Sequence, residues 1–362
     1  MAHIEFDLPA AGSKLLFVHD DEDAAPLVTG TDNDEGDWEE LDITMADVTA
    51  TEPNTLTLDY VDLKVQGKTF DDLYFSMAAD SAYKLNGLEK YGRSGYNPWA
   101  VAVQYRTNII DMGARFDENS GYTATYNFEI ARGFQPSQLT AVAEWAHLYE
   151  VTVNGNPVEP IPGENWLDHS FGVFDISDEV KSGNNKITLS IQPMHIHAEI
   201  EPVYLVGYFS LESQQKGFLL TEQEPLETGS WQKQGMPFYS ESVRYSKELE
   251  VEAGKDYKLE LNVWKGTVSR VYVDDEQVGI IGWPPYKFNL TPYLEEGKQT
   301  VAIEVVGSLK NLLGPHHGNR REGIVTPWSW FSGPQNMPPG DEYHHLDYGL
   351  MDDFDIMVKS GS

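Results

Sequence analysis

The sequence predicts an all-β protein built from tandem β-sandwich modules of the jelly-roll type. Two observations carry this prediction: short strand-like segments fill the chain, and one pattern of three sequence blocks occurs twice. The segments are rich in Val, Thr, Tyr and Ile and are bounded by Gly, Asn, Asp and Pro, which is typical of sandwich strands. The apolar spacing of residues 71–90 supports a helix only weakly. The predicted strands are 56–63, 100–109, 122–130, 149–153, 186–191, 257–263 and 300–306.

The repeat gives the strongest indication of domain organisation. Each copy has a strand ending in Asn-Gly or Asp-Asp, which suits a tight hairpin turn. A segment with a capping residue follows, and then a glycine that turns the chain into a core strand. Three ordered blocks at matched spacing indicate a duplicated module. The first copy comprises 150–155, 174–180 and 183–189, and the second comprises 270–275, 288–294 and 297–303.

The repeat divides the chain into three parts. Residues 1–50 hold acidic runs at 20–23 and 32–40, which we interpret as solvated loops around a small β segment. Residues 51–220 form the first module. Residues 221–362 form the second, after a linker-like segment at 221–230.

Composition excludes several classes of function. The chain has 58 acidic against 25 basic residues and a formal net charge of −33, so it repels nucleic acid and anionic membranes. It has no cysteine, which excludes disulfides and thiolate chemistry. No stretch of about 18 apolar residues predicts a membrane span. Neutral ligands and cations stay compatible with this charge.

The first residues carry no sign of a leader. Met1–Glu5 lacks a basic region followed by an apolar one. The protein is then either cytosolic or a piece of a longer precursor, and the start within a predicted domain favours the precursor. On that interpretation we expect an extracellular or periplasmic bacterial protein.

The repeated blocks resemble a known family. FDISDEVKSGNNKITLSI at 174–191 resembles the D-[IV]-[ST]-x-x-[VL]-x-x-G-x-N-x-[IL] signature of galactose-binding-like, sugar-binding jelly-roll domains in family 2-type glycoside hydrolases. The second copy, FNLTPYLEEGKQTVAIEV at 288–305, has Gln299 where Asn is usual. Residues 231–245 and 309–318 resemble the opening and closing parts of such domains. The likeness covers roughly residues 55–362 and extends to the C-terminal region of bacterial glycosidases, including family 106 rhamnosidases.

The resemblance implies a role in glycan breakdown without catalysis by this chain. The enzymes of that family keep their catalytic carboxylates in a separate barrel, and this sequence shows no alternation of strands and helices that would build one. We therefore expect a non-catalytic carbohydrate-binding region that binds a plant or algal polysaccharide or oligosaccharide, with a catalytic domain elsewhere in a precursor. Two alternatives stay open: purely structural domains of a larger glycosidase, and a complete glycoside hydrolase with its site between the modules.

The second module supplies the candidate binding residues. Proteins hold sugars with aromatic faces against C–H patches and with planar polar side chains for hydroxyls. Both types occur there in loops rich in Pro and Gly, and the arginine pair could bind a uronate or sulfate. Alternatively, the tryptophans fill the sandwich ends and the arginines pair with carboxylates. The candidates are Trp231, Trp283, Tyr286, His316, His317, Asn319, Arg320, Arg321, Trp328 and Trp330.

Metal sites have weaker support. His195, His197 and Glu199 alternate and would share one face of a strand, as metal ligands or as a surface contact. Residues 32–37 resemble a calcium loop, but the glycine stands at the fifth position rather than the sixth, which favours a solvated acidic loop. No cofactor is predicted with certainty, and a structural calcium stays open.

Overall fold

The computed structural model describes residues 37–87, 116–195, 197–318 and 325–360. Strands dominate, and they form several antiparallel sheets, which confirms the all-β sandwich class. The predicted strand at 122–130 is present residue for residue, and those at 149–153, 186–191, 257–263 and 300–306 are present with small shifts. The predicted strand at 100–109 lies outside the described residues. No helix in the described ranges is both long and apolar enough to span a membrane.

The elements follow in chain order. They are β1 (Glu39–Glu40), β2 (Asp47–Ala50), β3 (Asn54–Leu58), β4 (Tyr60–Val65), β5 (Lys68–Tyr74), α1 (Phe75–Leu85), β6 (Tyr122–Ile130), β7 (Leu139–Glu144), β8 (Glu150–Val153), β9 (Asn156–Pro157), β10 (Asn165–Trp166), β11 (Asp168–Asp175), β12 (Gly183–Ile191), β13 (Val203–Gly207), β14 (Ser210–Ser213), β15 (Phe218–Thr221), β16 (Ser242–Val251), β17 (Lys255–Leu261), β18 (Trp264–Lys265), β19 (Val268–Val273), β20 (Glu276–Ile281), β21 (Lys287–Asn289), β22 (Gly297–Val306), α2 (Lys310–Leu313), β23 (Gly349–Leu350) and β24 (Phe354–Ser360). Short 3-10 helices include Ala146–Leu148, Trp231–Lys233, Thr291–Tyr293, Pro327–Phe331 and Gly340–Glu342.

The two modules have the same strand order. One sheet of the first module runs β11-β7-β13-β3, with β10 outside β11, and the second module repeats this order as β21-β17-β24-β1. In the facing sheet, β4-β6-β12-β8-β9 corresponds to β2-β16-β22-β19-β20. The sequence blocks that suggested a duplication therefore occupy equivalent strands in the two modules.

The first module is inserted into the second. β1 pairs with β24 and β2 pairs with β16, so residues 39–50 supply two edge strands of the second module. Leu41, Ile43 and Met45 pack against the core of that module. The division at residue 50 drawn from the sequence therefore separates strands that the structure pairs. A short strand carries no local indication of its partner, which for β2 begins at Ser242 and for β1 at Phe354.

The chain also returns from the second module to the first. Trp330, Met337 and Tyr343 belong to or pack against the core of the first module, which includes Leu63 and Ile130. The core of the second module is separate. The two sandwiches are thus joined by chain segments that precede β3 and follow β22, rather than by one linker.

Hydrogen bonds explain the signature of the first copy. Asn154, at φ 53°, opens the hairpin turn after β8. Its Nδ2 donates to Oδ1 of Asn185 at 2.8 Å. The buried Asn185 amide in turn donates to the carbonyls of Lys181 and Gly183 at 2.6 and 2.9 Å. We call these bonds the turn network, and it ties the hairpin to the start of β12.

The second copy builds the same network with opposite polarity. Asp274, at φ 46°, replaces the asparagine and can only accept when it is ionised. Its partner must therefore donate, and Nε2 of Gln299 donates to Oδ2 of Asp274 at 3.0 Å. Oε1 of Gln299 accepts the N–H of Glu295 at 2.6 Å, as Oδ1 of Asn185 accepts that of Lys181 at 2.9 Å. The departure from the signature at Gln299 preserves its structural role.

In each block a hydroxyl side chain holds the segment that leads from one sheet to the other against β7 or β17. Oγ of Ser177 accepts the N–H of Leu139 in β7 at 3.0 Å, and Oγ1 of Thr291 accepts the N–H of Tyr257 in β17 at 2.8 Å. Ile176 and Leu290, which precede the two hydroxyl residues, are fully buried. The signature residues therefore hold the sandwich together, and in both copies their contacts lie within the protein.

We expect Asn185→Ala to lower the free energy of unfolding by about 2–3 kcal/mol, because it leaves buried polar groups without partners. Urea unfolding followed by circular dichroism measures this loss. The neighbouring Asn184 is exposed, so Asn184→Ala should change stability by less than about 0.5 kcal/mol. Equal losses for the two variants would contradict a structural role for the signature.

Candidate functional site

Trp231 is a core residue rather than a binding residue. It is only 1 % exposed, and its indole N–H donates to Oη of Tyr245 at 2.8 Å. The ring contacts Tyr239 edge-on at 5.7 Å and lies against Tyr348 at 6.1 Å. The expectation that it faces a sugar is wrong, because the ring is buried in the second core among Tyr239, Tyr245 and Tyr348.

His316 and His317 are also buried, where the chain returns from the second module to the first. Nε2 of His317 lies 2.9 Å from Oδ2 of Asp59, a carboxylate on the first module that is itself 2 % exposed. The hydroxyl of Tyr343 donates to Oδ1 of Asp59 at 2.8 Å. Both histidines are therefore structural here, which corrects their assignment as sugar ligands.

The environment of His316 opposes its charged form. Its Nε2 lies 2.7 Å from the carbonyl of Asn311. Burial lowers the pKa of His316 well below its usual range, and His345 and Lys310 act in the same direction, while Asp59 opposes them. His316 is therefore neutral in the folded protein near pH 7.

The other loop candidates divide into two groups. Asn319, Arg320 and Arg321 lie outside the described residues, as does the side chain of Trp328. Trp330 is half-buried, packs against the first core and donates its indole N–H to the carbonyl of Leu313 at 2.7 Å. Trp330 therefore fastens the returning segment to the first module.

Trp283 and Tyr286 remain as candidates that face solvent. Both lie in the loop between β20 and β21, and Trp283 is 51 % exposed. The loop is held by the N–H of Leu261, which donates to the carbonyl of Tyr286 at 2.8 Å. Trp264 meets Tyr286 edge-on at 5.5 Å, and the neighbouring Val263 is exposed. We call Val263, Trp264, Trp283 and Tyr286 the aromatic surface.

Polar groups lie beside the aromatic surface on the loops that carry it. Asn262 precedes Val263 and donates to Asp353 and Asp355 at 3.0 and 2.9 Å. Lys265 follows Trp264 and pairs with Asp347 at 2.8 Å. The hydrogen bond from Lys265 lowers the pKa of Asp347 to about 2, so this carboxylate is ionised near neutral pH. Sequence reasoning missed Trp264, which lies in the two-residue strand β18 beside the exposed Val263.

The predicted histidine pair does not share a strand face. Residues 195 and 197 lie in the loop between β12 and β13, and the ring of His197 stacks on Trp145 at 4.9 Å. Within the described ranges no three His, Asp or Glu side chains are grouped to hold a metal ion. Residues 32–36 of the calcium-like loop lie outside the described residues.

Comparison with known proteins gives distant likenesses. No family model and no curated protein matches the chain. Among solved structures, a rhamnosidase from Novosphingobium sp. PP1Y matches at 14 % identity and a TM-score of 0.26, covering 68 % of this chain and 23 % of the enzyme. A β-D-mannosidase from Dictyoglomus thermophilum matches at 11 % and 0.27, covering 70 % and 31 %. An uncultured Clostridium sp. β-glucuronidase matches at 10 % and 0.26, covering 73 % and 45 %. All three are glycosidases, and this chain spans about a quarter to a third of the length of the first two.

The buried His316 predicts a pH-dependent stability. Its pKa is depressed in the folded state, so below about pH 6.5 the unfolded chain binds a proton that the folded chain does not. The free energy of unfolding should therefore decrease as the pH decreases. This residue should account for a decrease of about 1 kcal/mol between pH 7 and pH 5.5. Urea unfolding of wild type and of His316→Gln at both values isolates this contribution. Exposed His147→Gln is the control, and equal pH dependence in wild type and His316→Gln would contradict the assignment.

Proposed function

We propose that this chain is a carbohydrate-binding accessory region of a polysaccharide-degrading glycoside hydrolase and that it binds glycan through the aromatic surface. The observation that carries the proposal is the exposure of Trp283 in the same loop as Tyr286, whose ring meets that of Trp264 in β18. A sugar ring that covers part of such a surface gains about 1–2 kcal/mol per aromatic side chain from apolar burial.

The chemistry around the surface suits a neutral polymer. Asn262, Lys265 and Asp347 supply planar or charged groups for hydroxyls at its edge. A chain with a formal net charge of −33 repels highly charged anions at long range, whereas neutral plant or algal polysaccharides are unaffected. Such polymers are met outside the cytoplasm, so the proposal includes an extracellular or periplasmic location.

The proposal assigns hydrolysis to another domain. The residues that resemble glycoside hydrolase accessory domains serve the turn network, and the resembling enzymes place their carboxylates in a parallel barrel. Among the described strands every pairing is antiparallel except that of β15 with β6, so the described part of the chain forms no such barrel. Release of reducing sugar by the purified chain would overturn the non-catalytic role.

Binding to a polysaccharide array tests the proposal. We expect retention on a subset of neutral rhamnose- or galactose-containing glycans, with uronate-containing glycans as the anionic comparison, and at least tenfold weaker binding after Trp283→Ala or Tyr286→Ala, since tenfold equals about 1.4 kcal/mol. Affinity electrophoresis or calorimetry with the retained glycan measures the change.

Tyr208 offers a matched control, because it is 46 % exposed and belongs to the first module. Tyr208→Ala should bind as wild type does. A blank array with folded protein would exclude glycan binding and favour a structural role within a larger glycosidase. Unchanged affinity in both loop variants would place any binding away from the aromatic surface.

A further inference from the structure

A cleft of about 400 Å³ opens in the first module where its sheet is interrupted. β4 pairs with β6 only at Thr123–Thr125, and β15 pairs with the same edge of β6 only at Glu129 and Ile130. Between them, residues 126–128 have no strand partner along this edge in the described part of the chain. The cleft lies in this gap.

The gap exposes main-chain groups to a ligand. Successive residues of a strand direct their N–H and C=O groups to alternate edges, so a three-residue gap presents at least one donor and one acceptor. Unpaired strand edges are normally covered or shortened, because they attract other chains. Here the gap is recessed and only large enough for a small molecule, since 400 Å³ is near the lower end for ligand sites.

The floor of the cleft is apolar. Leu56 and Leu58 come from the facing sheet through the gap, and Phe128 comes from β6. Phe218 and Met337 also line the cleft. Met337 belongs to the segment that returns from the second module, so the cleft is complete only when the two modules are joined.

The rim is a fixed array of planar polar groups. Nδ2 of the exposed Asn127 donates to Oδ2 of Asp62 at 2.8 Å, and Oδ1 of Asp62 accepts the N–H of Asp72 at 2.8 Å. The carboxylate of Asp72 binds Nζ of Lys216 at 2.6 Å and accepts the N–H of Met337 at 3.3 Å. Each of these side chains lines the cleft and is held in place before a ligand arrives.

The charge of the lining selects among ligands. Asp59, Asp62, Asp72 and Glu129 face a single lysine, Lys216. Carboxylates accept hydrogen bonds from hydroxyls but repel a uronate or sulfate at short range. An apolar floor beneath a rim of acceptors matches one face of C–H groups and one edge of hydroxyls on a neutral sugar ring.

We propose that this cleft binds a single residue of a neutral saccharide, with the ring over Phe128 and its hydroxyls on Asp62 and Asn127. This assignment rests on the proposed carbohydrate function. It adds a second sugar-binding site, which lies on the first module, to the aromatic surface of the second module. The aromatic surface binds a glycan along its length, whereas the cleft admits one ring and discriminates against acidic sugars.

Ligand-observed NMR with methyl glycosides tests the cleft directly. The probes are the methyl glycosides of glucose, galactose, mannose and rhamnose, with methyl glucuronide as the acidic probe. We expect saturation transfer to at least one neutral probe and none to the glucuronide. Asn127→Ala should weaken the neutral signal at least fivefold, both in the wild-type protein and in the Trp283→Ala background, in which the aromatic surface contributes less of the signal. Lys216→Ala, at an exposed side chain, is a second variant expected to weaken binding.

Asn156→Ala is the matched control and should bind the neutral probes as the wild type does. Like Asn127, the exposed Asn156 donates to a carboxylate, that of Glu179 at 2.5 Å, but it lies outside the cleft. Equal binding by Asn127→Ala and wild type, or equal transfer to the glucuronide, would overturn the cleft assignment. So would the absence of transfer to every neutral probe. In each of these cases, polysaccharide binding that is lost in Trp283→Ala would still support the proposed function. An array on which no glycan is retained would contradict both the proposed function and the cleft assignment.

Discussion

The buried carboxylate of Asp59 is the interaction on which the joining of the two modules depends. It lies between β3 and β4, and both of its oxygens are bonded to residues that follow β22: His317 through Oδ2 and Tyr343 through Oδ1. An ionisable group at 2 % exposure is costly unless each oxygen finds a partner. The requirement is met only when the returning segment lies across the first module. Burial raises the pKa of Tyr343 well above its usual range, so its hydroxyl stays a donor near neutral pH.

This constraint also shapes the candidate sites. The returning segment brings Met337 to the cleft, while Trp330 and its bond to Leu313 hold the segment against the first core. The aromatic surface lies on loops of the second module, where β18 pairs with β23 and fixes Trp264. One module therefore carries an exposed aromatic surface, and the other carries a recessed cleft with an apolar floor and a polar rim. Two copies of one fold have diverged in their loops and edges while keeping the same turn network.

The duplication shows how a signature can be preserved for structure alone. Asn154 with Asn185, and Asp274 with Gln299, reach the same arrangement with opposite donor and acceptor roles. Among the described residues, the hydrogen bonds of these four side chains are internal to their own modules. The proposed carbohydrate contacts therefore lie on the surfaces around these blocks, and the formal net charge of −33 favours neutral over anionic ligands for them.

The all-β class, the main strands and the repeat could be predicted from the sequence, because each depends on local physics: period-two alternation, turns that need positive φ at Asn154 and Asp274, and the side chains of Asp175 and Asn289, which accept the N–H two residues on. Tertiary structure alone decided the rest. Trp231 and Trp283 stand in similar loops, yet Tyr245 and Tyr348 bury the first while the second faces solvent. Pairings between distant strands likewise place β1 and β2 in the second module and leave the gap beside β6. No local sequence pattern specifies which strand edge a segment will pair with.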